Sequence, residues 1–189
     1  MNRIILASKS PRRKEILEKA GINFIALASD KEENNLYIED TKKVAIANAD
    51  VKASDIAESY PDDIVVGADT IVVLENELFG KPKDPKDAKM MLERLSGKTH
   101  QVITGVAIIY QGQKILFSET SDVTFREIAE QEILDYIESK EPMDKAGAYA
   151  IQGIGAKFVL GYTNEIENII GLPIHSLLEH LKEIKKGEK

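Results

Sequence analysis

Cysteine is absent from the 189 residues, so disulfides, thiolate nucleophiles and zinc–thiolate sites are excluded. No stretch approaches the ~20 apolar residues of a membrane-spanning helix. The opening MNRIILASKS has one early Arg and an apolar run too short for a signal peptide. The expectation is a cytoplasmic protein with no membrane partner. Positive charge is in the minority: 25 Lys and Arg against 32 Asp and Glu leave a net charge of −7. Nucleic-acid binders are more often basic, so stable nucleic-acid binding is not expected. An anionic ligand would have to be held by a local cluster of cations, which makes the position of each Lys and Arg informative.

Familiar site motifs are also missing. SGKTH (96–100) contains a GKT, but a P-loop needs another glycine five residues before Gly97, and that residue is Leu92. There is no HExxH, EF-hand loop, GxSxG or GxGxxG. His175 and His180 are five apart, a spacing that does not put them on one helix face.

What is present is a chain that folds. Hydrophobic residues make up 43% and charged residues 30%, a globular composition of a length that suits one domain over residues 1–189. Short apolar strands are expected at 3–7 and 24–28, with a helix from Pro11 to Ala20 between them and Gly21 closing it. A long helix capped by Thr41 should run to about Ser59. Ile64–Leu74, IVVGADTIVVL, reads as strand around Gly-Ala-Asp-Thr and continues through a Glu75-Asn76-Glu77 turn into LFGKP. A helix from Asp84-Pro85 to Ser96 follows. Then come strands 101–110 and 114–125, a helix 129–139, a glycine-rich segment ending in strand, and a last helix from Pro173. Strands and helices alternate without a strict βαβ rhythm, which predicts an α/β fold with a mixed sheet flanked by helices.

The first helix is oddly charged. In SKSPRRKEIL, Ser10 is a good N-cap and Pro11 suits the first helical position. Arg12, Arg13 and Lys14 then crowd a helix end that is already partly positive and favours Asp or Glu. An anion bound there would explain the choice.

Asp69 stands between VV and IVV in an otherwise buried strand pattern, where an ionised carboxylate is costly unless paired or metal-bound. Read as lying beside a break in the strand, it is a candidate general base or metal ligand; a bulge satisfied by backbone amides at Gly67 is the alternative. Lys52 borders a small-residue face made by Ala45, Ala49, Ala53 and Ile56, and a snorkelling lysine is the competing explanation. Lys81 lies in Gly80-Lys81-Pro82, a stiff turn or a plain surface loop. Glu32 and Glu33 belong to a polar loop, either solvated or available to a divalent cation. In KAGAYAIQG (145–153), small residues permit close backbone approach, and Gln152 offers both a donor and an acceptor to a base edge. Arg12, Arg13, Lys52 and Lys81 as cations, Asp69 with Glu33 as carboxylates and Gln152 as reader form the set needed for metal-assisted attack on a nucleoside polyphosphate.

The stretches LASKSPRRKEIL, GADTIVVL, FGKP, LSGKTHQVITG, EPMDKAGAYAIQG and IIGLP, in that order, resemble the Maf family of nucleoside triphosphate pyrophosphatases along nearly the whole chain. The resemblance implies a two-lobed mixed α/β fold with a central cleft, shared with inosine triphosphate pyrophosphatases, and commonly a homodimer. It implies hydrolysis of a nucleoside triphosphate to the monophosphate and pyrophosphate with a divalent metal, Mg²⁺ or Mn²⁺. It makes Asp69 the proton acceptor. On the residues themselves, Glu33 or Asp69 is expected to help hold the metal. Arg12, Thr70 and Gln152 mark the branch acting on dTTP and UTP. Ser8 and Ser10 are expected to donate to phosphate beside Arg13, Lys52 and Lys81. The branch acting on 7-methyl-GTP has Trp where Arg12 stands. The chain departs from the family's usual pattern at ITG (103–105), where ITA is common, and in GYTNEIENIIGLP, which lacks aromatic residues just before its GLP turn. A nucleotide-sensing regulator of septum formation is the rival reading. A phosphatase with an aspartyl-phosphate intermediate would need a DxDxT-type motif, which GADT does not supply.

Overall fold

A computed structural model describes residues 3–31 and 40–187. Among these residues seven strands form one mixed sheet: β1 (Ile4–Leu6), β2 (Phe24–Ala26), β3 (Ile64–Leu74), β4 (Glu77–Phe79), β5 (Thr99–Tyr110), β6 (Gln113–Phe125) and β7 (Val159–Tyr162). Their order is β2-β1-β3-β5-β6-β7, with β4 paired to β3. β1 is parallel to β2 and β3, whereas β4 and β7 run antiparallel to β3 and β6. The helices are α1 (Pro11–Lys19), α2 (Thr41–Ala57), α3 (Pro85–Leu95), α4 (Glu130–Glu138), α5 (Ile166–Ile170) and α6 (Ile174–Gly187). None is long and apolar enough to cross a membrane among the described residues.

Several expectations are refined. Asp40, not Thr41, caps α2, its carboxylate accepting from the Lys42 amide at 3.0 Å. The Glu75-Asn76 hairpin forms as read, with both residues at positive φ and Val72 opposite Phe79. The strand does not break at Asp69: β3 runs unbroken through GADT. α5, within the segment before the GLP turn, is an element that periodicity did not show, because its five residues are too few to display a repeat.

The chain divides into two compact units. The first comprises Met1–Asp69, Thr104–Glu119 and Gly171–Lys189; the second comprises Thr70–Ile103 and Thr120–Ile170. In the first, α2 presents a fully buried small-residue stripe, Ala45, Ala49 and Ala53. It lies on two strand positions that have no side chain. A Cβ on Gly67 of β3 would stand 2.4 Å from the Ala49 carbonyl oxygen, and one on Gly105 of β5 2.2 Å from the Ala45 carbonyl carbon. The glycines are required by close approach, not by a turn, so the bulge at Gly67 is not seen and Gly105 has a packing reason. Overpacking such a contact costs roughly 1–3 kcal/mol. Gly67→Ala is expected to lower stability by that amount in urea unfolding, and an unchanged midpoint would contradict the close packing.

The second unit packs a separate core from Val72, Phe79, Ala88, Leu92, Leu95, Phe125, Tyr136 and Phe158. α3 contributes Ala88, Leu92 and Leu95 at helical spacing. His100 lies inside this core, 2% exposed, edge-on to Phe125 and Tyr149. Its Nε2 is 2.8 Å from the Tyr149 hydroxyl, and Nδ1 has no hydrogen-bond partner among the described residues. A second ring proton would therefore have no acceptor. Burial pushes the imidazole down to about 4. The unfolded chain binds this proton near 6.5 and the folded chain only near 4, so the stability is complete above 6.5 and is lost as pH falls toward 4. The slope is at most about 1.4 kcal/mol per pH unit. A His100→Gln variant should lose stability less steeply between pH 6.5 and 4.5 in denaturant titrations. Parallel slopes would show that the imidazole is not held neutral.

Candidate active site

In the first unit the start of α1 is built as its sequence suggests. Ser10 is extended (φ −63°, ψ 118°), and its hydroxyl accepts from the Arg13 amide at 3.5 Å. Pro11 occupies the first turn, where its missing N–H costs nothing. The buried Ser8 hydroxyl accepts from the Ser10 amide at 3.2 Å and from the Arg13 guanidinium at 3.3 Å. Arg13 Nε also donates to the Gly171 carbonyl at 2.7 Å. Ser8, Ser10 and Arg13 thus meet at one helix end, tied to the backbone of the GLP turn. Arg12 is part-exposed beside them in sequence.

Asp69, 4% exposed on β3, is the charged centre of this unit. Lys52 Nζ donates to its Oδ1 at 2.8 Å, and Asn48 Nδ2 to its Oδ2 at 3.0 Å. Only 15% of the Lys52 side chain and 6% of the Asp69 side chain are exposed. A carboxylate this deep is tolerable because an ammonium and an amide face it. Lys52 does not snorkel away: it turns inward to Asp69. The seating of α2 against Gly67 and Gly105 explains the reach, because Asn48 and Lys52 are successive positions of one helix face, four residues apart. Asn48 belongs to no sequence motif of the site. Its placement four residues before Lys52, beside the alanine stripe, was the available signal.

The second unit holds Thr70, Lys81 and Gln152. Thr70 is part-buried and continues β3. Lys81 is exposed just beyond β4, and the preceding Gly80 carbonyl accepts from the Gly147 amide at 3.0 Å. Gln152 is exposed on a loop whose backbone is held from below. The Ala150 amide donates to the Tyr136 hydroxyl at 3.2 Å, and the Ile154 and Gly155 amides donate to the two Glu141 carboxylate oxygens at 3.1 and 3.0 Å. Glu33 and its neighbour Glu32 lie outside the described residues. Among the described residues no group of three His, Cys, Asp or Glu side chains is arranged to hold a metal ion.

The family model described as "Maf-like protein" matches residues 3–184. The chain belongs to the Maf family. Relatives of this Maf-family chain include a protein named dTTP/UTP pyrophosphatase from Acholeplasma laidlawii, 47% identical over 181 residues and covering 95% of each chain. Another of that name, from Bacillus cytotoxicus, is 46% identical over 187 residues, covering 99% of this chain and 98% of its own. The Maf fold here also resembles the solved Ham1 protein of Staphylococcus aureus, with a TM-score of 0.57 over the full length of both chains at 14% identity, a likeness of fold.

Proposed function

We propose that the protein is a nucleoside triphosphate pyrophosphatase that hydrolyses dTTP and UTP to the monophosphate and pyrophosphate. The observation that carries the reading is the buried Asp69 carboxylate, held by Lys52 and Asn48, in a chain whose nearly full-length relatives bear that activity's name. Asp69 takes a proton from the attacking water. The water oxygen bonds to the α-phosphorus, the bond from that phosphorus to the bridging oxygen breaks, and pyrophosphate leaves with the electron pair. The bonds from Lys52 and Asn48 leave lone pairs on both carboxylate oxygens for this role. Ser8, Ser10, Arg12, Arg13 and Lys81 supply donors and positive charge toward the phosphates. Arg12, Thr70 and Gln152 select the pyrimidine.

A divalent cation is part of the proposal. Asp69 is the described carboxylate that would help hold it, with Glu33 as the second. Hard oxygen donors of this kind suit Mg²⁺ or Mn²⁺, which would neutralise phosphate charge. A homodimer, which the family resemblance implies, and a cytoplasmic setting complete the reading.

Pyrophosphate release measured across dTTP, UTP, CTP, dATP and GTP with either metal tests it. The expected result is fastest release from dTTP and UTP with the monophosphate as second product. Binding without turnover would favour a nucleotide sensor instead, and orthophosphate as the product would favour a phosphatase.

A further inference from the structure

We infer that Glu141 and Tyr136 are positioning residues for base selection, acting through the backbone of the loop that carries Gln152. The inference rests on the reading of Gln152 given above and names side chains that the sequence motifs did not assign.

The geometry is a clamp on both sides of one residue. Upstream of Gln152, the Ala150 amide donates to the Tyr136 hydroxyl. Downstream, the Ile154 and Gly155 amides donate to Glu141 Oε2 and Oε1. The two anchors are joined, because the Tyr136 hydroxyl donates to Glu141 Oε1 at 3.0 Å. Tyr136 is fully buried on α4 and packs edge-on against Phe158, their ring centroids 5.2 Å apart, so the clamp is fixed to the core of its unit. Two glycines of IQGIG make room for it. A Cβ on Gly153, at φ +85°, would stand 2.7 Å from Glu141 Oε2, and one on Gly155 2.6 Å from the Tyr136 hydroxyl.

Burial works against the Glu141 charge, but the Gly155 and Ile154 amides, the Tyr136 hydroxyl and nearby Lys145 outweigh it and hold the carboxyl below its usual range. It therefore remains a double acceptor at neutral pH. Among the described residues no hydrogen bond uses the Gln152 carboxamide, which is left exposed. A carboxamide reads a base edge only if its donor and acceptor are aimed, and it can be aimed only from a fixed backbone. The clamp supplies that fixity without touching the nucleotide.

Glu141→Gln is nearly isosteric but turns one acceptor into a donor facing N–H or O–H groups. Tyr136→Phe keeps the ring and removes the hydroxyl. Each variant is assayed for kcat and KM with dTTP and dATP beside the unaltered protein and Gln152→Ala. Amide hydrogen exchange over 150–155 is followed in parallel. The expected result is faster exchange over that segment and a fall of roughly 10- to 100-fold in the dTTP-over-dATP ratio of kcat/KM, approaching that of Gln152→Ala. A merely structural role would lower kcat/KM for both nucleotides equally. A ratio within twofold of the unaltered protein in either folded variant would overturn the inference. If the unaltered protein itself does not prefer dTTP, the pyrimidine reading fails first, and that is visible before any variant is compared.

Discussion

Asp69→Asn is expected to reduce pyrophosphate release by roughly 10²–10⁴-fold, the usual cost of losing a general base. The carboxamide keeps the shape of the side chain and still offers Lys52 or Asn48 an oxygen, so the sheet around it should persist. It no longer has the basicity to take a proton from water. The check is a single-turnover assay on protein whose far-UV circular dichroism and gel-filtration volume match the unaltered chain. Turnover within twofold of the unaltered protein would remove Asp69 from the chemistry and move the base to another group.

Lys52→Met is expected to cost much of the fold's stability. It leaves the Asp69 carboxylate nearly buried, with the Asn48 amide still donating to it. Breaking a buried pair from one side costs about 3–5 kcal/mol. For a chain of this length that is a fall in Tm on the order of 10 °C. Adding Asp69→Asn to Lys52→Met removes the stranded charge, so the double variant should be more stable than Lys52→Met alone. The four proteins of this cycle, unfolded in urea at neutral pH, give the coupling directly. Additive losses would mean that the 2.8 Å contact contributes nothing. Activity should fall in every variant of the cycle, because each alters the carboxylate or its partner.

The sequence revealed most where the signal is local. Ser10 and Pro11 announce the start of α1, Glu75-Asn76 announce a hairpin, and Asp84-Pro85 open α3, because caps and turns are decided by a few neighbouring residues. Asp69 was conspicuous because a carboxylate in an apolar strand has to be compensated. Its compensators were only half legible. Lys52 stands out as a cation beside an alanine face, whereas no local pattern sets Asn48 apart from the other polar residues of α2. Its burial follows from how α2 meets β3 and β5, and no window on α2 contains that fact. Glu141 was hidden for the same reason. It reaches Ile154 and Gly155 thirteen and fourteen residues away, across a turn with no periodicity. Thr41 and Asp40 are adjacent and both good caps, so the sequence alone does not choose between them; the extended backbone at Asp40 does.

The contact of α2 with Gly67 and Gly105 has a bearing on how this protein can change over time. The two donors to Asp69 ride on a helix whose height above the strands is set by two missing methyl groups. Lifting the helix by about the width of one methyl would stretch contacts of 2.8 and 3.0 Å beyond hydrogen-bonding range. A residue that never meets substrate can therefore retune the carboxylate from behind. Drift at 67 or 105 would register in catalysis as well as in folding, and a tolerated side chain there would call for a compensating trim at Ala45 or Ala49.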